Sequence, residues 1–140
     1  MSSSVEERIK QFIQSVLPDY EVVVAGEVKA VRVARPTAVV QLSRAEHRLA
    51  AIGAFVTEHS LDVDVILIDV VGFRQSFVEA VKKVEEDVSR LIAALMTAPN
   101  AVEGYVLTFT SRSDVSESSR YPGVVRCKVS FALTSYTTKS

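Results

Sequence analysis

Apolar residues recur with a helical period in two segments of the chain and with a strand period in several others. Near the amino terminus, apolar side chains recur every three or four residues between Val5 and Leu17. This spacing places them along one face of an amphipathic helix. Ser4 is a suitable N-cap with Glu7 three residues later, and Pro18 stops the helix. The pattern therefore predicts a helix over about residues 5–17.

A second and longer helical pattern covers residues 73–96. The apolar positions that should form its buried stripe are Phe73, Phe77, Val81, Val84, Val88, Leu91, Ile92 and Leu95. The charged positions expected on the opposite, solvated side are Glu79, Lys82, Lys83, Glu86, Asp87 and Arg90. At about 1.5 Å per residue the helix would be about 36 Å long. We expect it to cover one face of a sheet and to be the main core-forming element.

Strand patterns account for most of the remaining chain. Valine-rich stretches predict strands at about residues 21–25, 28–34 and 37–42, with Pro36 marking a bend or an edge. Residues 62–71 begin in strict alternation and become apolar on both faces, which is typical of a covered central strand. Two closing strands flank a connection at residues 111–123 that is rich in serine and charge. Such long connections are usually mobile or wait for a partner.

Residues 43–56 are ambiguous. The first part, residues 43–48, is polar and charged, and residues 49–56 suit a helix through alanine or a strand through Gly53, Phe55 and Val56. We expect a loop followed by a strand that pairs with the next segment. The order of elements then predicts one α+β domain over residues 1–140. Its largely antiparallel mixed sheet would carry the N-terminal helix and the long amphipathic helix on one face.

Composition and charge narrow the function classes. Sixteen basic and seventeen acidic residues leave a net charge of −1, which argues against a non-specific nucleic-acid binder but leaves a local basic patch open. Charges interrupt the amino terminus before any apolar stretch, so no signal peptide is expected. The most apolar segment, residues 63–71, contains two aspartates and is too short to span a bilayer. These features predict a soluble protein that folds in a cytoplasm, with no membrane partner.

Candidate chemistry is sparse. The single cysteine, Cys127, lies on the apolar face of the last strand and is expected to be a buried hydrophobe, so no cysteine metal site is predicted. His59, Ser60 and Asp62 invite comparison with a hydrolytic triad, but no nucleophile-elbow motif accompanies them. Asp62 and Asp64 share a strand face. They would either bind a divalent cation, remain solvated, or pair across the sheet with basic residues of the last strand.

No cofactor-binding motif of the Walker or dinucleotide type is present, so no cofactor and no catalytic residue are assigned. The charged residues of the two polar connections are either ordinary solvated turn residues or interface residues. Together with the two basic residues of the last strand, they are the candidates for contacts with a neighbouring subunit, with a tube or with a lumen. This set comprises Arg44, Glu46, Arg48, Arg112, Asp114, Glu117, Arg120, Arg126 and Lys128.

Three stretches of the chain resemble the tail terminator, or tail completion, proteins of tailed bacteriophages. They are the N-terminal helix VEERIKQFIQSVLP, the segment LDVDVILIDVVGFRQSFVEAVKKVEEDVSRLIAAL with its Arg74-Gln75 pair, and the closing strand RCKVSFALTSY. Together they span nearly the whole chain. The resemblance implies a virion protein without enzymatic activity, located in the neck of the tail and assembled in the host cytoplasm.

The same resemblance implies a six-fold ring of identical subunits as the working assembly. The ring would sit on the tail tube protein, stop tube polymerisation and present a surface to the head connector, so that head and tail join. DNA would pass through the lumen. The outer side of the last strand, with Arg126 and Lys128, is expected to face either a neighbouring subunit or the lumen.

Three other interpretations remain open at the level of sequence. The chain is also compatible with another neck or tail component, such as a head-closure or tube protein. A small ligand-binding or enzymatic α+β domain would use His59, Asp62 and Asp64. A nucleic-acid binder would use the arginines and lysine at positions Arg32, Arg35, Arg44, Arg48, Arg112, Arg120, Arg126 and Lys128.

Overall fold

Two helices and six strands make up the part of the chain that the computed structural model describes, which is residues 4–25, 35–51 and 54–139. The helices are α1 (Val5–Val16) and α2 (Phe77–Thr97). The strands are β1 (Glu21–Val24), β2 (Thr37–Ala51), β3 (Ala54–Val70), β4 (Val106–Arg112), β5 (Ser116–Glu117) and β6 (Val124–Lys139). A short 3-10 helix, Val71–Phe73, follows β3. The strand predicted at residues 28–34 lies outside the described residues.

All six strands belong to one mixed sheet. Their order is β1-β2-β3-β6-β4, and β5 pairs with β6 beyond the end of β4. β1 runs parallel to β2, and the other described pairs are antiparallel. The predicted α+β class is therefore confirmed. β3 lies at the centre of the order and is paired along both of its edges.

The first helix follows its sequence signals closely. The Ser4 hydroxyl accepts a hydrogen bond from the Glu7 backbone N–H at 3.1 Å, which satisfies one of the free amides at the helix start. Ile9 and Ile13 are fully buried, as is Leu17, whose own N–H donates to the Ile13 carbonyl. The apolar stripe therefore anchors α1 to the core.

The long helix begins at Phe77, four residues later than the pattern predicts. Ser76 is its N-cap and accepts from the Glu79 N–H at 3.2 Å, while the Glu79 carboxylate accepts from the Gln75 N–H at 2.8 Å. This reciprocal capping places the start at residue 77. Phe73 and Phe77, predicted to be core residues, are 40% and 46% exposed because the helix meets the sheet only from its second turn onward.

One residue predicted for the solvated side of α2 is buried. Asp87 accepts hydrogen bonds from the Tyr20 hydroxyl at 2.7 Å and from the Lys83 ammonium at 2.8 Å. The same ammonium bonds Asp19 at 2.7 Å. Tyr20 is fully buried between α1 and β1, and its hydroxyl requires an acceptor there. Asp87 meets this requirement, which explains why a charged residue enters the core.

The sheet has one face covered by the helices and one that no described helix covers. Side chains alternate between the two faces, so the buried residues of β3 and β6 lie on a single side, called here the helix face. The apolar ones are Leu61, Val63, Val65, Leu67, Val125, Cys127, Val129, Phe131 and Leu133. Burial of Cys127 confirms the prediction and raises the pKa of its thiol.

The opposite side of the sheet, called here the open face, carries the alternate residues of the same strands. On β3 these include Ile66 and Ile68, which are half-buried. Among the described residues, this face of the strand is thus covered only in part, whereas the sequence pattern predicted coverage of both faces. Its apolar run instead supplies a partly exposed strip down the middle of the open face.

The three central strands extend beyond the region covered by the helices and form an arm, defined here as residues 43–51, 54–60 and 134–139. Pairing between β2 and β3 continues without interruption from Thr37 opposite Ile68 to Ala51 opposite Ala54. The predicted loop at residues 43–48 is thus strand. The strand predicted at residues 49–56 is divided between the end of β2 and the start of β3, where residues 49–51 pair with residues 54–56. Along β3 the arm has seven residues, 54–60, and at about 3.3 Å per residue it is about 23 Å long.

Replacement of Tyr20 by phenylalanine tests the buried polar contact between α1, β1 and α2. The substitution removes a hydrogen bond to a buried charged acceptor, and we expect it to lower the free energy of unfolding by about 1.5–3 kcal/mol. Urea denaturation at pH 7 measures the change. Tyr136→Phe is the matched control, since Tyr136 is 61% exposed, and should stay within about 0.5 kcal/mol. Equal effects of the two variants would contradict the role of Asp87.

The same contact predicts loss of stability at alkaline pH. Burial, followed by the hydrogen bond to Asp87, raises the pKa of Tyr20 well above its ordinary value of about 10. Above that pH the unfolded chain releases the phenolic proton while the native chain retains it, so unfolding becomes more favourable. The stability advantage of the wild type over Tyr20→Phe should shrink by about 1.4 kcal/mol per pH unit above pH 10.

Candidate functional site

The structure distributes the nine predicted interface residues over three regions of the sheet. Arg44, Glu46 and Arg48 lie on β2 within the arm. The connection between β4 and β6, together with the last residue of β4, carries a second group, which comprises Arg112, Asp114, Glu117 and Arg120. The third group is Arg126 and Lys128 on the open face of β6. Arg32, considered for nucleic-acid binding, lies outside the described residues.

Three side chains of the arm, those of Arg44, Glu46 and His59, make polar contacts on the helix face. Arg44 forms an ion pair with Glu6 of α1, which ties the base of the arm to the first helix. Glu46 lies opposite His59 in the register, and its carboxylate is 3.1 Å from the imidazole Nδ1. The imidazole Nε2 is 3.1 Å from the Thr137 hydroxyl. One histidine therefore links all three strands of the arm.

This carboxylate–imidazole–hydroxyl chain has the order of a hydrolytic triad, although not with the residues considered from sequence. Ser60 and Asp62 lie on the open face, whereas His59 lies on the helix face, so those three cannot converge. The adjacent hollow is only about 110 Å³, below the 300 Å³ or more typical of small-molecule pockets. Glu46 is also 70% exposed. We interpret the chain as a brace across the arm.

The connection between β4 and β6 is held against the sheet. Ser113 accepts a hydrogen bond from the Lys128 N–H at 2.9 Å, and Glu117 accepts from the Gly123 N–H at 3.1 Å. The guanidinium of Arg112 lies 3.3 Å from the Glu85 carboxylate on α2. Short pairing of β5 with β6 completes these contacts. The segment predicted to be mobile or awaiting a partner therefore has its own anchoring contacts, with Asp114 exposed between them.

The open face brings Arg126 and Lys128 to the edge of a cleft. Its volume is about 430 Å³, and the connection forms its other wall. The residues lining it are Ile66, Ser113, Asp114, Ser116, Arg126 and Lys128. The two basic side chains are exposed, and neither forms an ion pair with a described residue.

The predicted cross-strand ion pairs between the aspartates of β3 and the basic residues of β6 are not formed. Asp64 lies opposite Ser130, whose hydroxyl donates to its carboxylate at 2.6 Å, and Asp62 lies opposite Ala132. Lys128 lies two residues from Ser130 on β6, at the next position on the same face. The register thus separates acidic from basic side chains along the strand axis.

Within residues 4–25, 35–51 and 54–139, no group of three histidine, cysteine, aspartate or glutamate side chains is arranged to hold a metal ion. Asp62 and Asp64 share the open face as predicted, but no third ligand of these types joins them there. The cation-binding interpretation of this pair therefore receives no support from the geometry.

The exposed large apolar side chains fall into two groups near the two ends of α2, which the sequence patterns did not indicate; each group is called a patch here. One, the start patch, surrounds the beginning of α2 and comprises Phe73, Phe77, Val78 and Tyr121. The other, the finish patch, surrounds the end of α2 and comprises Met96, Val106 and Tyr136. The capping sequence Ser76-x-x-Glu79 was the signal that the helix starts too late to bury Phe73 and Phe77.

An ion pair with a buried carboxylate fixes the chain segment next to the start patch. Asp69 at the end of β3 is fully buried on the helix face, and the Arg74 guanidinium bonds its two oxygens at 2.9 and 3.4 Å. This hydrogen bond raises the pKa of Arg74. Arg74, which the resemblance placed with Gln75 at the helix start, instead precedes the helix. It fixes the 3-10 turn that leads from β3 into α2.

A scan against models of protein families and a search of curated proteins find no match to this chain. Among the described residues, neither helix combines the length and apolar composition needed to cross a membrane.

Substitution of Arg74 by methionine tests the anchoring of the start patch. It preserves most of the side-chain length but leaves the Asp69 carboxylate buried without its partner, and we expect a loss of about 3 kcal/mol in unfolding free energy. Chemical denaturation at pH 7 measures this loss. The control is Arg90→Met on α2, whose side chain is 57% exposed, with an expected change below about 0.5 kcal/mol. A neutral Arg74→Met variant would contradict the anchoring role.

Proposed function

We propose that this chain is a structural virion protein of a tailed bacteriophage. In this proposal, six copies form a ring that caps the tail tube, stops its polymerisation and joins the tail to the head connector. The observation that carries it is the placement of exposed apolar side chains at two opposite ends of α2. A protein that joins two partners along one axis requires two such surfaces.

The two patches are well separated. The 21 residues of α2 span about 31 Å between the start patch and the finish patch. Among the side chains whose exposure is described, the large apolar residues most exposed to solvent all belong to these patches. Exposed apolar clusters of this kind commonly mark protein–protein contacts. Their position at opposite ends suits contacts above and below a subunit in a stack.

The charged candidate residues suit lateral contacts within a ring. Arg44, Glu46 and Arg48 lie on β2, near the β1 edge of the sheet, whereas Arg112 and Asp114 lie beside its β4 edge. A contact that joins two different flanks is heterologous, and such contacts close into a ring when the rotation per subunit allows it. The arm lies beside the first of these flanks and would extend the contact surface.

Charge balance is also compatible with a channel for DNA. The net charge of −1 gives the subunit little overall attraction for the phosphate backbone. A strongly basic lumen would retain DNA through counterion release, whereas a nearly neutral ring lets the duplex slide during ejection.

Assembly with tail tubes tests this function. Light scattering and negative-stain microscopy, with and without magnesium, should show six-fold rings on the ends of tubes and a reduced tube length. Long tubes formed by the chain alone would instead identify it as a tube subunit. Tubes that neither bind the chain nor change in length would refute the proposal.

Substitutions in the start patch should weaken attachment at one end of the ring. We expect Phe77→Ser combined with Val78→Ser to reduce the fraction of capped tubes at least tenfold, because both side chains are exposed and contribute apolar contact area. Lys82→Ser combined with Glu86→Ser, at exposed positions further along α2, is the matched control. Circular dichroism melting should show both double variants to be folded. Wild-type capping by the patch variant would exclude this end as a docking surface.

A further inference from the structure

The open face of the sheet carries acidic and basic side chains in separate halves. Asp62 and Asp64 occupy two successive outward-facing positions of β3, opposite Ala132 and Ser130 of β6. Asp62 is exposed, and Asp64 is half-buried with one hydrogen bond to the Ser130 hydroxyl. This half of the face is therefore negatively charged.

The next two rungs have the opposite charge. Lys128 lies opposite Ile66, and Arg126 lies opposite Ile68. Both basic side chains are exposed, and Asp114 is the acidic residue that lines the cleft beside them. Four successive rungs thus carry two acidic and then two basic residues.

Half-buried apolar side chains lie beside the basic rungs. Ile66 and Ile68 occupy the β3 positions of these rungs, and Val39 of β2 lies opposite Ile66. An apolar strip that shares its rungs with basic residues and adjoins the acidic rungs has the composition of a protein interface, with an apolar centre and a charged rim. If these charges were only solvated surface residues, no apolar strip would be needed beside them.

We propose that the open face binds the open face of a second copy of this chain and forms a two-fold symmetric dimer. A half-turn about an axis that lies in the interface, crosses the strands and passes between Asp64 and Ile66 exchanges the two halves. It places the partner's acidic rungs over the basic rungs of the first copy. Asp62 then lies over the rung of Ile68 and Arg126, and Asp64 over the rung of Ile66 and Lys128, twice in the dimer.

Self-complementarity is the reason for assigning a second copy as the occupant. On these four rungs, β3 and β6 supply two acidic and two basic side chains at equal spacing, which suits an isologous contact. Packed sheets lie about 10 Å apart, a distance that lysine and arginine side chains span to reach a facing carboxylate. A uniformly acidic partner such as nucleic acid would complement only the basic half.

The area of the open face limits the affinity of the proposed dimer. Four rungs about 6.6 Å apart, on four strands about 4.8 Å apart, cover about 500 Å² per copy, close to the lower limit for a specific interface. The dimer should therefore be concentration-dependent, and its exposed ion pairs should make it sensitive to salt. This inference concerns the free chain and does not depend on the proposed ring: a ring can form on tubes without the dimer, and the dimer without tubes.

Complementary charge reversal tests the pairing. One variant carries Asp62→Lys and Asp64→Lys, and the other carries Arg126→Glu and Lys128→Glu. Sedimentation velocity should show each variant alone as a monomer, because like charges face each other across the two-fold axis. An equimolar mixture should dimerise, because both sets of contacts are then opposite in charge. Circular dichroism verifies that each variant is folded.

Controls and salt complete the experiment. Lys82→Glu combined with Arg90→Glu on α2 changes the net charge by the same amount as the basic-to-acidic variant and should leave dimerisation unchanged. For the wild type, raising the salt from about 50 mM to about 500 mM should weaken dimerisation at least tenfold. This measurement needs no variant and remains informative if a variant fails to fold.

Two results would overturn the inference. The first is a wild-type chain that stays monomeric at about 500 µM in low salt, where an interface of this size should associate. The second is an oligomer that neither charge-reversed variant alters, including a six-fold ring, since such an assembly would not use the open face. Association of the wild type with duplex DNA in place of self-association would assign the basic half to nucleic acid and also refute the dimer.

Discussion

The pairing of β3 with both of its neighbours is the constraint on which the rest of the structure depends. Its residues 54–68 are paired with β2 on one edge, and its residues 55–70 are paired with β6 on the other. This pairing satisfies the backbone of polar residues in the arm, where no side chain of described exposure is buried. It also aligns the apolar residues of β3 and β6 on the helix face. Slippage by one residue would move every core side chain of β3 to the open face.

Two buried polar contacts then determine how the helices meet this sheet. Tyr20 and Asp87 join the segment after α1 to the middle of α2, while Asp69 and Arg74 fix the turn that precedes α2. Both contacts place a carboxylate in the interior, where a partner is obligatory. Because Arg74 is committed to Asp69, the helix begins only after it, and Phe77 remains at the surface. The start patch is thus a consequence of the buried pair.

The sequence patterns predicted the helices and strands better than they predicted which side chains are buried and what those side chains contact. Alternation and helical spacing identified α1, most of α2, and the strands on either side of the connection, because burial of one face is encoded by period alone. The patterns failed at residues 43–48, where strand pairing with β3 overrides polar composition, and at Asp87, whose burial depends on Tyr20, 67 residues away. The brace of Glu46, His59 and Thr137 was equally inaccessible, since it requires the alignment of three strands.

The strand register separates acidic from basic residues on the open face, and this separation cannot be seen from the nearly neutral composition. The chain is nearly neutral, and the aspartates of β3 and the basic residues of β6 were expected to neutralise each other locally. The register separates them by one or more rungs, so neither sign is cancelled within the sheet. Compensation must then come from solvent ions or from a facing surface with the opposite polarity. Only a surface of mixed charge, in the same spacing, compensates both halves at once.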